Sequence, residues 1–261
     1  LKQLILALGL CLLFTPTTLA KEGHHPQQPS FQTPNSAVDI SKENTYPNPD
    51  QSAPELQPSG LTKELLKTSK VKIENPMLIK YLNESTIHPS KFSIGYHAHI
   101  YLGKWALSYK SSKVSINWEY KKINDSSLDA RGSEGQQEFK YTQESNSKVT
   151  GGLTAKVPNQ EGVKGLMMAH ASKKTDLPLA FSTVVGKGTK IDRLYHVQPK
   201  KMAHLYGYVP AVNEKGTIFY GEVFLVLKGG KKWIEVKNVE QQGIGAWIPI
   251  QDHVSLRYVS N

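Results

Sequence analysis

Cysteine is almost absent from this sequence, Cys11 being the single instance in 261 residues. Because Cys11 falls inside an apolar leader, the chain beyond it can form neither a disulfide staple nor a thiolate metal site. A second long apolar run is missing too. Leu4–Phe14 holds eleven apolar residues, and a helix needs roughly twenty to cross a bilayer, so no transmembrane anchor is expected. The motifs that fix common chemistries are also lacking: there is no H-E-x-x-H and no G-x-S-x-G. Val185-Gly186-Lys187-Gly188-Thr189 fails as a phosphate loop, because Lys187 is followed by Gly188 where Ser or Thr is required, and it reads as a turn. No cofactor is expected from these patterns.

What is present begins with an address. Lys2, the run Leu4–Phe14 and the small residues of Thr18-Leu19-Ala20 form a signal peptide over residues 1–20, with cleavage between Ala20 and Lys21. The expected location is secreted or associated with the cell envelope, outside the cytoplasmic membrane. Residues 21–60 hold seven of the fifteen prolines among Gln, Ser, Asn and Thr. Such a segment buries too little apolar surface to offset its ordering entropy, so a disordered Pro-rich tether is expected there. Residues 61–261 remain as a single β-rich globular domain. The formal charge of +10 is unevenly divided: the leader adds +1 and the tether −3, leaving +12 on residues 61–261. A basic domain favours anionic polymers. Outside the cytoplasm those are cell-wall polyanions, and nucleic acid is not an expected partner.

Hydrophobic periodicity sets the fold class. Leu61, Leu65 and Leu66 have helical spacing, Asn75-Pro76 reads as a cap opening a second short helix, and Val163, Leu166, Met167 and His170 lie on one face of a third. Elsewhere the period is two, most clearly at Val114, Ile116, Trp118 and Tyr120. Separate strands are expected over 92–102, 105–110, 114–121, 138–142, 153–157, 179–185, 191–197, 202–212, 217–228, 231–238 and 254–259. Gly229-Gly230 is the best hairpin turn, since both glycines accept positive φ. The expected architecture is mainly β (α+β): antiparallel sheets forming a sandwich or curled sheet, with two or three peripheral helices.

Chemistry-bearing residues are sparse. His97 and His99 lie two apart on one predicted strand and so share a face, as two metal ligands would. A zinc site needs a third ligand, with His170, His196, His204, Glu222 and His253 available, and spacing alone brings none of them there. Glu119, Glu138, Glu222 and Glu235 fall on predicted strands as possible carboxylate pairs for sugar hydrolysis. Trp105, Trp118, Trp233 and Trp247, with twelve tyrosines, could include a stacking platform for glycan.

The segments Ile87-His88-Pro89, Phe92-Ser93-Ile94-Gly95-Tyr96, Ile100-Tyr101-Leu102-Gly103-Lys104-Trp105 and Asn117-Trp118-Glu119-Tyr120-Lys121 carry a resemblance. Through them the chain resembles the YfkD-like family of Bacillus and related Firmicutes, with total length, leader and Pro-rich spacer in agreement. The resemblance implies an exported protein and supplies no catalytic residues. The reading is a non-enzymatic envelope protein binding an anionic cell-wall polymer or an envelope protein. The alternative is a secreted metal-dependent hydrolase using His97 and His99.

Overall fold

The computed structural model describes residues 31–48, 57–85 and 97–261. The signal peptide with its cleavage point at Ala20 and Lys21, the rest of the tether, and residues 92–96 of the first expected strand lie outside the described residues. In chain order the elements are β1 (Ala37–Asp39), α1 (Gly60–Thr68), α2 (Pro76–Glu84), β2 (His97–Asp129), β3 (Gln137–Thr142), β4 (Ser147–Thr150), β5 (Gly152–Leu153), α3 (Gln160–Thr175), β6 (Ser182–Val185), β7 (Lys190–Val197), β8 (Met202–Lys228), β9 (Lys231–Pro249) and β10 (His253–Ser260). The fold is mainly β, with antiparallel pairing throughout and three helices among the described residues.

Each helix starts where a side chain satisfies an orphan backbone N–H. Ser59 accepts from the Thr62 amide, Asn75 from Met77 with Pro76 at the first position, and Asn159 from Gly162. Lys173 and Lys174 close the last turn of α3, where the helix dipole favours cations.

The sheet is organised by β8. Along one edge it pairs with β2 for nearly its whole length; its other edge is shared by β10 over Ala203–Tyr208 and β9 over Ala211–Lys228. The β8–β9 hairpin turns at Gly229 and Gly230, both at positive φ. Side chains alternate across β8, so its even- and odd-numbered residues face opposite ways. The even face is buried in the middle, where Val212, Ile218 and Tyr220 pack with Val163, Leu166 and Met167 of α3. The odd face is buried at both ends. Ala203, Leu205 and Val209 meet the small sheets β3–β7 and β4–β6, while Val223 and Leu225 meet Leu65, Leu78 and Leu82 of α1 and α2.

Two tyrosines on other strands reach across glycines of β8. A Cβ at Gly207 would lie 2.4 Å from the Tyr141 hydroxyl, and one at Gly216 would lie 2.4 Å from the Tyr109 hydroxyl and 2.3 Å from the Lys110 carbonyl. Only glycine admits these phenols against the backbone.

The structure departs from the sequence reading in several places. Of the strand expected over 153–157 only Leu153 is strand, in β5, and β4 was not expected. The strands expected over 92–102, 105–110 and 114–121 belong, in their described part, to the single strand β2, whose register slips between Tyr101 and Gly103, Ala106 and Ser108, Ser111 and Lys113, Asn117 and Lys121, and Lys122 and Asn124. Each bulge shifts the period-two pattern, which breaks one strand into several in a hydropathy reading. Those expected at 202–212 and 217–228 are likewise both β8.

Residues 34–48 are not tether. β1 adds to the edge of β10, Ile40 is fully buried, and the amides of Asn44 and Asn48 donate to Asp252 at 2.9 and 2.8 Å. A Pro-rich segment with no core of its own orders here because β10 offers backbone partners and the core offers a place for Ile40.

Candidate functional site

His97 and His99 open β2, opposite Lys228 and Val226 of β8, and share the even face as expected. His99 is tied down: its Nε2 lies 2.7 Å from Glu235 Oε2, and its ring stacks on Phe224 at 4.6 Å and 4°. Tyr101 leans on the same Phe224 ring at 5.1 Å. Lys237 Nζ stands 5.3 Å over Phe224 and 3.6 Å from Glu235. The hydrogen bond from His99, reinforced by Lys237, holds the Glu235 carboxyl below the usual carboxylate range.

One row away Asn238 donates to Glu222 at 2.8 Å, and Lys104 pairs with Glu240 at 2.6 Å. Of the expected further ligands and acids, only Glu222 and Glu235 join His99 here. His170 lies on α3, His196 on β7 and Glu138 on β3. His204 and Glu119 lie at the far end of the sheet, and His253 opens β10. Among the described residues no three His, Cys, Asp or Glu side chains gather as a metal site.

The far end of the same face repeats the pattern. His204 stacks on Tyr206 at 5.7 Å and 11°, its Nδ1 lies 3.1 Å from Asp125, and Lys122 stands 4.1 Å over Tyr206 and 2.8 Å from Asp125. Arg257 approaches the same ring at 5.9 Å and binds Glu119 at 3.2 Å. Lys122 holds the Asp125 carboxyl down, with a further contribution from His204.

Between the two platforms, under α3, lies a carboxylate that sequence reasoning missed. Glu214 is fully buried, its Oε1 accepts the Tyr109 hydroxyl at 2.7 Å, and among the described residues its Oε2 has no hydrogen-bond partner. Burial pushes its carboxyl above the usual range, against weaker opposing pulls from Ser111, Tyr109, Lys174 and His170. The tetrad Asn213-Glu214-Lys215-Gly216 reads as a turn by its polarity, which hides Glu214. The available signal was Val212, Glu214, Gly216, Ile218 and Tyr220 at spacing two.

On the opposite face, between the two end cores, Lys113 sits directly across from Lys215, and Lys110 lies across from Thr217 beside it. All three lysines are exposed. Among the described residues none of the three makes an ion pair. Like charges directly opposite on neighbouring strands destabilise a sheet by a few tenths to about 1 kcal/mol.

Three of the four tryptophans serve packing. Trp105 joins the core beneath α1 and α2, Trp118 packs against the core under α3, and Trp247 stacks on Tyr120 at 5.1 Å. No helix among the described residues is long and apolar enough to cross a membrane.

A family profile described as YfkD-like protein matches residues 34–261. A Bacillus subtilis (strain 168) relative with the name "Uncharacterized protein YfkD" is 60% identical over 228 residues, covering 87% of this chain and 86% of its own. Among solved structures, that of a lamprey immune protein aligns over 63% of this chain and 53% of its own, at 6% identity and a TM-score of 0.22. That likeness is too slight to bear on fold or function. The profile spans most of the chain and the bacterial relative matches it nearly end to end, so the chain belongs to the YfkD-like family.

Proposed function

We propose that this protein is exported to the cell envelope and acts there without catalysis, its basic domain binding an anionic wall polymer through Lys110, Lys113 and Lys215. The observation that carries the reading is the Lys113–Lys215 pair: two exposed lysines stand directly opposite on neighbouring strands, and among the described residues neither makes an ion pair. Such a pair is unfavourable alone and becomes favourable when a phosphate or carboxylate chain bridges it. Proteins held by a field of this kind detach as salt screens it, because the screening length falls from about 10 Å at 0.1 M to about 3 Å at 1 M. The leader explains how the domain reaches such a polymer.

The test is retention of the purified protein on isolated cell walls. Retention is expected to fall steeply with added salt and to be largely lost in a variant combining Lys110→Gln, Lys113→Gln and Lys215→Gln. Equal retention at low and high salt, or by the triple variant, sinks the proposal. Cell fractionation tests the export step, and an unprocessed chain found in the cytoplasm would defeat it.

A further inference from the structure

We infer that the ring platform of Tyr101, Phe224 and His99 is a second binding surface, on the sheet face opposite the lysine row, and that it takes an uncharged polysaccharide. Tyr101 is 56% exposed although it pairs with Phe224 in the β2–β8 ladder, next to the bulge at Leu102. Its ring leans on Phe224, which stacks on His99, so three rings run side by side over two strands. The far platform has no ring exposed to this degree.

Charge chooses the ligand. The ionic groups around the rings neutralise one another locally: Lys104 with Glu240, and Lys237 and His99 with Glu235, while Glu222 is engaged by the Asn238 amide. Around the rings themselves this pairing leaves no surplus of positive charge for a polyanion, in contrast to the lysine row; the exposed Lys228 and Lys231 stand further along the same face, at the hairpin. What the patch offers is an exposed aromatic ring and a rim of donors and acceptors held in fixed orientation by their own pairing. Sugar rings match this with C–H faces that stack on aromatics and hydroxyls that both donate and accept. The choice of a polysaccharide rests on the envelope reading above, whereas the site shares no residue with the lysine row.

The experiment is retention of the purified protein on chitin beads, on cellulose, and on cell walls chemically stripped of their anionic polymers, all at high salt. Binding to at least one of these matrices is expected, weakened about tenfold by Tyr101→Ala and unchanged by the triple lysine variant. Tyr101 is exposed enough that its replacement leaves the fold intact, which circular dichroism would verify. Absence of binding to all three, binding that Tyr101→Ala does not weaken, or binding lost on adding salt overturns the inference. Those results leave salt-sensitive retention on intact walls standing, so the two proposals fail separately.

Discussion

Glu214 and Glu235 lie on the same face of one sheet and have been driven in opposite directions. Under α3, Glu214 is buried, accepts a hydrogen bond from Tyr109, and is pushed towards its neutral form. At the open end, Glu235 keeps solvent, an imidazole and an ammonium, and is held in its charged form. Residue type is identical and the strand geometry is shared. The difference comes from what covers the face: a helix in one place, side chains and water in the other.

The comparison breaks most easily at its packing. Gly216→Val places a Cβ against the Lys110 carbonyl and the Tyr109 hydroxyl. Because a backbone atom cannot step aside, destabilisation of about 3 kcal/mol or more is expected in chemical denaturation. A denaturation midpoint equal to the parent's would mean that Tyr109 does not lie over this glycine. Tyr109→Phe keeps the packing but leaves both oxygens of Glu214 unpartnered. Its expected loss is about 1–3 kcal/mol by the same measurement.

Glu214→Gln sharpens the contrast through pH. Since the folded state keeps the carboxyl proton to higher pH than the unfolded chain, ionisation of Glu214 removes stability as pH rises from the ordinary carboxyl value through the raised folded one. Below that window the acid is neutral in both states and the penalty is absent. The variant is therefore expected to melt above the parent at neutral pH, with the gap closing in acid. A gap independent of pH would contradict the assignment.

The smallest effect belongs to Glu235→Gln. Here the carboxyl value is lowered on folding, so its favourable share is present above the ordinary carboxylate range and vanishes as pH falls through the lowered value. The group is exposed, and a shift near the limit of detection in thermal melts is expected. A large loss would mean that the platform bears on stability far more than its solvent contact allows.

The amino-acid sequence disclosed this fold unevenly, and the reasons are local. Helical spacing at Leu61, Leu65 and Leu66 and at Val163, Leu166, Met167 and His170, and the Asn75-Pro76 cap, are set within a few residues, so all three helices were legible. Gly229-Gly230 marked its hairpin for the same reason. The unbroken length of β2 was hidden because its bulges reset the alternation of side chains, and β1 because its partners stand more than two hundred residues away. At the site, His99 and its face were readable by spacing two. Its partners Glu235, Phe224 and Lys237 were not, since register between strands is set by the whole sheet. Glu214 was passed over because an acid beside Lys215 and Gly216 looks like a turn when its strand is not yet known.

β8 contributes Ala203, Leu205 and Val209 to one core, Val212, Ile218 and Tyr220 to another, and Val223 and Leu225 to the third. No core can dissolve without stripping side chains from a backbone that the other two also need. The three are mechanically in series on one rod, and the described unit is expected to melt in a single transition, its calorimetric and van't Hoff enthalpies coinciding.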